Sequence, residues 1–134
     1  MDNVLAENGL DKIDPKVGYI PARNFIKANE ILVQPARKNL EKGKIVILDA
    51  CFYHKEAIED IISNLLPYKS FVFTLKAPLH ICIERDRNRP RSYGKIAVNE
   101  VYKLVTGFDY GNVIEVSKPI GETVSELLSH LPKN

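Results

Sequence analysis

Three short runs rich in β-branched residues, separated by helical patterns, constrain this chain more than any other feature. Lys44-Ile45-Val46-Ile47-Leu48 follows Glu41-Lys42-Gly43, and its unbroken apolar character predicts a strand buried on both faces, as in a parallel sheet. Ser70-Phe71-Val72-Phe73-Thr74-Leu75 is the second run, and Asn112-Val113-Ile114-Glu115-Val116, opened by Tyr110-Gly111, is the third. Between the first two, Ile58, Ile61, Ile62, Leu65 and Leu66 recur at the spacing of one helix face, which predicts a helix from Lys55 to Leu66. Pro78 to about Arg87 and Val98 to Val105 read as two further helices, and Thr123 to Leu131 as an amphipathic last one. Upstream, Pro21 to Leu40 reads as a helical region interrupted or restarted at Pro35. Strands alternating with helices predict an α/β fold with right-handed crossovers, and 134 residues suit a single domain spanning 1–134.

Composition narrows the function classes. Nineteen basic against seventeen acidic residues leave a net charge of +2, which does not support a nucleic-acid footprint across the surface, so any basic site is local. No stretch approaches the ~20 apolar residues of a membrane span. Cys51 and Cys82 lie in or beside apolar segments and no signal peptide is seen, a pattern that favours reduced, buried thiols and a cytoplasmic location.

Two features carry chemistry. The run Ile83-Glu84-Arg85-Asp86-Arg87-Asn88-Arg89-Pro90-Arg91 sets four arginines at every second position. Guanidinium groups so dense repel one another unless anionic oxygens, most often phosphates, sit between them; a solvated basic helix end is the competing reading. Asp49 stands at the carboxyl end of the first predicted strand, where ligands bind in open parallel sheets. There it either orients a metal-bound water or takes a proton from a substrate hydroxyl, or it caps the loop entering the next helix.

The strand, the aspartate at its end and the arginine run after the next strand together resemble the small P-loop phosphotransferases of adenylate-kinase-like architecture, including gluconate-kinase, adenylylsulfate-kinase and zeta-toxin-like enzymes. The resemblance runs from about Gly18 to the C-terminus. Val46-Ile47-Leu48-Asp49 looks like the family's strand and aspartate beside the nucleotide site. Leu75-Lys76-Ala77-Pro78-Leu79-His80-Ile81-Cys82-Ile83-Glu84-Arg85 looks like the strand and helix that lead into its lid, and Asp109 to Ser117 like its last strand. The resemblance implies a three-layer parallel sheet, ATP and Mg²⁺ as cofactors, and a nucleotide and small-molecule acceptor as partners. It places Arg85 near the adenine or nucleotide phosphates, and Arg89 and Arg91 as lid arginines closing on the transferred group.

One departure from the family is large. None of the seven glycines opens a Gly-x-x-x-x-Gly-Lys-Ser/Thr loop, so the amides that cradle the β-phosphate, the lysine that neutralises it and the hydroxyl that holds Mg²⁺ are missing. The 134 residues therefore correspond to the C-terminal two-thirds to three-quarters of such a kinase, truncated at the amino end. Either Met1 is a start within a longer enzyme, or the catalytic half has been lost. On this reading the chain is part of an ATP-dependent phosphotransferase that is inactive alone; the alternative is a non-catalytic anion-binding or interaction domain. A missing central strand leaves unpaired strand edges, which predicts self-association. On the substrate side, Arg23 and Lys27 lie one helical turn apart and either grip an anionic acceptor or form an exposed basic face. Cys51 and His54 have a metal-like spacing but no partner pair for a zinc site.

Overall fold

A computed structural model describes residues 1–132 of the chain. They form a mixed α/β structure of six helices and a small parallel sheet: α1 (Asp2–Glu7), α2 (Ala22–Leu40), α3 (Lys55–Asn64), β1 (Phe73–Lys76), α4 (Leu79–Arg87), α5 (Lys95–Thr106), β2 (Asn112–Glu115) and α6 (Ile120–Ser129). Two compact units divide the chain after Ser70.

In the first unit, α2 packs against α3 and α1. Val33 and Ala36 of α2 are buried with Ile61 and Leu65, while Leu40, Val46, Leu48 and Ile62 close the cluster from its sides. α2 runs through Pro35 without a break. The ring deprives only the Ile31 carbonyl of its helical donor, and both residues lie on the exposed face. Asn29, fully buried on the same helix, donates from Nδ2 to the Ala57 carbonyl (2.8 Å) and to Asp60 Oδ2 (2.9 Å), and so fixes α2 on α3. Arg37 caps the other end of α3, donating to the carbonyls of Asn64 (3.0 Å) and Leu66 (2.7 Å). Neither α1 nor its buried anchor Leu5 stands out in the sequence, since six residues are too few for a periodicity to show.

The segment Lys44–Leu48 corrects a prediction. Among the described residues it forms neither helix nor strand, and only Val46 and Leu48 turn inward. Ile45 and Ile47 are 91% and 85% exposed, so the segment is buried on one face rather than two. An unbroken apolar run looks identical in both cases, because sequence reports hydrophobicity and not whether a neighbour is present.

In the second unit, β1 and β2 pair in parallel with Phe73 opposite Asn112 and Lys76 opposite Glu115. The connection between them runs through α4 and α5, as parallel pairing requires. Ile114, fully buried, is the centre of the pair, and α6 packs on β2. Ion pairs of Lys76 with Asp109 and of Lys118 with Glu126 brace the sheet surroundings. The helices predicted from Val98 and from Thr123 each begin three residues earlier, at Lys95 and Ile120, directly after Gly94 and Pro119. Among the described residues no helix is long and apolar enough to cross a membrane.

Candidate functional site

Six residues were expected to act together, and they fall in two units: Asp49, Arg23 and Lys27 before Ser70, and Arg85, Arg89 and Arg91 after it. Asp49 is exposed just after the Lys44–Leu48 segment, and its carbonyl accepts a hydrogen bond from the Met1 amine (3.2 Å). It does not cap α3, whose N-cap is His54. Cys51, expected to be buried, is exposed, and Cys82 is half-buried; neither forms a disulfide.

Arg23 and Lys27 part company. Both are exposed on α2, but only Arg23 lines the open depression of about 650 Å³ that the preceding loop forms against the start of the helix. Lys12 and Lys16 line it too. Asn24 Nδ2 ties the loop to α2 through the Leu10 carbonyl (2.8 Å), and Asp14 pairs with Tyr19 to close a tight hairpin. The carboxylate that lines it, Asp14, accepts from the Lys16 amide (2.9 Å) rather than from a cation. Among the described residues Lys12, Lys16 and Arg23 have no ion-pair partner. Three unneutralised cations on one concave surface suit a multiply charged anion. Sequence spacing missed Lys12 and Lys16 because they act from a loop, where no periodicity links them to α2.

Aromatic packing holds this hairpin in place. Phe25 lies edge-on to Tyr53 (centroids 5.2 Å apart) and to His54 (5.5 Å). The Tyr53 hydroxyl accepts from the Ile20 N–H (3.1 Å) and His54 Nε2 donates to the Ile20 carbonyl (2.8 Å), so adjacent side chains satisfy both backbone groups of one residue. Burial pushes the Tyr53 hydroxyl up to about 12.

The arginine run is organised by the acid inside it. Asp86, buried at the end of α4, accepts from the Ser92 hydroxyl (2.6 Å) and from the amides of Tyr93 (3.0 Å) and Gly94 (3.0 Å). The elbow from Asn88 to Gly94 is thereby anchored to the end of α4, where Arg87 is exposed, and Arg89 and Arg91 are exposed on the elbow itself. Arg85 donates to the Val116 carbonyl (2.6 Å) just past β2, at the carboxyl end of the parallel pair. One of its five donors is thus engaged there, near Glu115. Glu115 is itself held below the usual carboxylate range, chiefly by the Ser117 hydroxyl.

The Ser92 hydroxyl above all, with the Tyr93 and Gly94 amides, lowers the Asp86 carboxyl below its ordinary 3.8. A lowered folded value contributes stability that is present in full above 3.8 and lost as pH falls through the folded value. Asp86→Asn is therefore expected to lower the thermal midpoint near neutrality and to flatten its decline in acid. Melting curves across the acid range check this, and an acid limb as steep as that of the unmodified chain would show that the elbow does not depend on this carboxylate.

The arrangement fits anions better than it fits a complete Mg²⁺–ATP site. Asp49 offers a lone carboxylate, among the described residues no three His, Cys, Asp or Glu side chains converge, and the chain has no glycine-rich phosphate cradle. No family model matches the chain, and no curated protein or solved structure does so either.

Proposed function

We propose that this chain is the anion-recognising part of an ATP-dependent phosphotransferase, a small-molecule or nucleotide kinase whose complete form carries a three-layer parallel sheet. One observation carries the reading: among the described residues none of the six arginines is paired with a carboxylate. In a chain with seventeen acidic residues, unpaired guanidinium groups on an anchored elbow and a concave surface are placed for a ligand's oxygens rather than for the fold. Arg85 at the carboxyl end of β2, and Asp49 at the carboxyl end of its own segment, support the reading because ligands of parallel α/β folds gather at such ends. Arg89 and Arg91 would close on phosphate oxygens, and Arg23 would hold the acceptor.

The lack of a phosphate cradle favours a second reading for the 134 residues by themselves, anion binding without transfer. Coupled kinase and ATPase assays of the chain are expected to show no turnover, and turnover that disappears in Asp49→Asn would overturn this. Calorimetric titration with nucleotides and sulfate is expected to show salt-sensitive binding, weakened by about 1–3 kcal/mol in Arg89→Ala. Affinity unchanged from that of the parent chain in both Arg89→Ala and Arg91→Ala, or no binding at all, would return the run to a solvated helix end.

A further inference from the structure

The eleven residues from Arg85 to Lys95 carry five basic side chains and one acid, a net charge of +4 in a chain whose total is +2. The acid is turned inward: Asp86 is buried, with its oxygens occupied by Ser92, Tyr93 and Gly94. Every residue from Arg87 to Tyr93 is exposed, and among the described residues no carboxylate pairs with Arg87, Arg89, Arg91 or Lys95. The outer surface of the elbow is therefore cationic. An aromatic ring stands within it. Tyr93 is 70% exposed, the most exposed aromatic side chain among the described residues, with Phe71 next at 37%. Its N–H donates to Asp86 Oδ1 (3.0 Å), so the ring leaves the backbone from a fixed point.

We infer that the elbow is a seat for single-stranded nucleic acid, one base stacking on Tyr93 and the phosphates on either side of it meeting Arg89, Arg91 and Lys95. Three features select that occupant. An exposed ring among unpaired cations offers both things a single strand needs, a face for a base and charge for the backbone. Tyr93 also lies between Arg91 and Lys95 in the chain. A nucleoside within a strand likewise has phosphate on each side, whereas a mononucleotide has it on one. Finally, small molecules are held in concave sites that cover most of their surface, and the unbroken exposure of Arg87 to Tyr93 provides a ridge instead. A duplex shows its base faces only at its ends, so Tyr93 would find nothing there to stack on. The inference rests on reading these arginines as phosphate contacts, and adds to that reading the base and the strand.

Fluorescence anisotropy with a labelled oligothymidylate of about ten nucleotides, a length within reach of one binding module, tests it. Tyr93→Ala is expected to bind about tenfold more weakly, as loss of one stacked base does, and Tyr93→Phe to bind as the parent chain does. Tyr93→Ala keeps the N–H that Asp86 holds, so its melting curve should match that of the parent. Arg89→Ala should weaken binding and reduce the slope of log affinity against log salt by about 0.7, the share of one phosphate contact on a single strand. Linear inorganic polyphosphate, used as competitor, should respond to Arg89→Ala but not to Tyr93→Ala. Oligothymidylate bound no better than polyphosphate, with Tyr93→Ala without effect, would overturn the inference and leave the phosphate reading standing. Thymidine monophosphate or a duplex binding as tightly as the strand would overturn it in the same way. Binding of neither oligothymidylate nor polyphosphate would end both readings.

Discussion

Gly111→Ala is expected to dismantle the pairing of β1 with β2. Gly111 has φ +66°, a left-handed conformation that costs alanine about 1 kcal/mol. A Cβ there would lie 2.7 Å from the carbonyl carbon of Val72 and 2.8 Å from its Cβ, with the carbonyl oxygen closer still. These neighbours cannot give way cheaply. The same Val72 carbonyl accepts from the Asn112 N–H (2.9 Å) immediately before β1, and Tyr110 on the other side accepts from the Thr74 hydroxyl (2.7 Å). Moving either strand breaks that bracing and exposes Ile114, whose burial is worth about 2 kcal/mol. With about 1 kcal/mol for the broken hydrogen bonds, these give a loss of about 4 kcal/mol, at the upper end for single substitutions. Gly121→Ala is the control. It lies inside α6 with open space around its Cβ position, and alanine there is expected to stabilise by about 0.5–1 kcal/mol. Thermal unfolding separates the two variants, and amide exchange should show protection lost across Phe73–Lys76 and Asn112–Glu115 in Gly111→Ala. A melting point unchanged from that of the parent chain would mean that the turn relaxes without cost and that the close approach is not a constraint.

What was legible in the sequence follows from which signals are local. α3 could be read because Ile58, Ile61 and Leu65 repeat at the helical period and all three are buried. β2 could be read because Tyr110-Gly111 marks a turn and Ile114 alternates against exposed Val113 and Glu115. Signals that depend on a distant neighbour did not show. Whether Ile45 and Ile47 are covered depends on another strand, and nothing within the segment encodes its presence. Nothing in the arginine run marks Asp86 as an anchor, because its oxygens are taken by Ser92, Tyr93 and Gly94, where the chain turns back. Asp49 and the arginine run were legible as charged features, but placing them in one site needed a sheet that spans both units, and that sheet belongs to the proposal. The groove of Lys12, Lys16 and Arg23 depends on a hairpin closed by Tyr53 and His54 from more than thirty residues away, a separation beyond any motif.

Phe25→Ala is expected to destabilise the first unit strongly and to loosen that groove with it. Phe25 is only 2% exposed and fills the space between α2 and the Phe52-Tyr53-His54 turn, so truncation leaves a cavity walled by three aromatic rings. Phenylalanine-to-alanine changes in such sites cost about 3–5 kcal/mol, whereas Phe25→Leu should cost markedly less by keeping most of the volume. The functional consequence passes through two hydrogen bonds. Tyr53 and His54 hold Ile20 by its N–H and its carbonyl, and Ile20 is the residue through which the Asp14–Tyr19 hairpin enters α2. Once the Phe25 ring no longer backs those side chains, Lys16 loses its fixed position relative to Arg23. Anions at the groove should then bind more weakly, while binding that depends on Arg89 is unchanged. Urea unfolding of Phe25→Ala and Phe25→Leu measures the first effect. Sulfate titration of the folded variants, each also carrying Arg89→Ala to silence the elbow, measures the second. Groove affinity as strong in folded Phe25→Ala as in the parent would show that the hairpin is held by its own turn, through Lys16 N–H to Asp14 and Gly18 N–H to the Asp14 carbonyl, and not by the aromatic cluster beneath it.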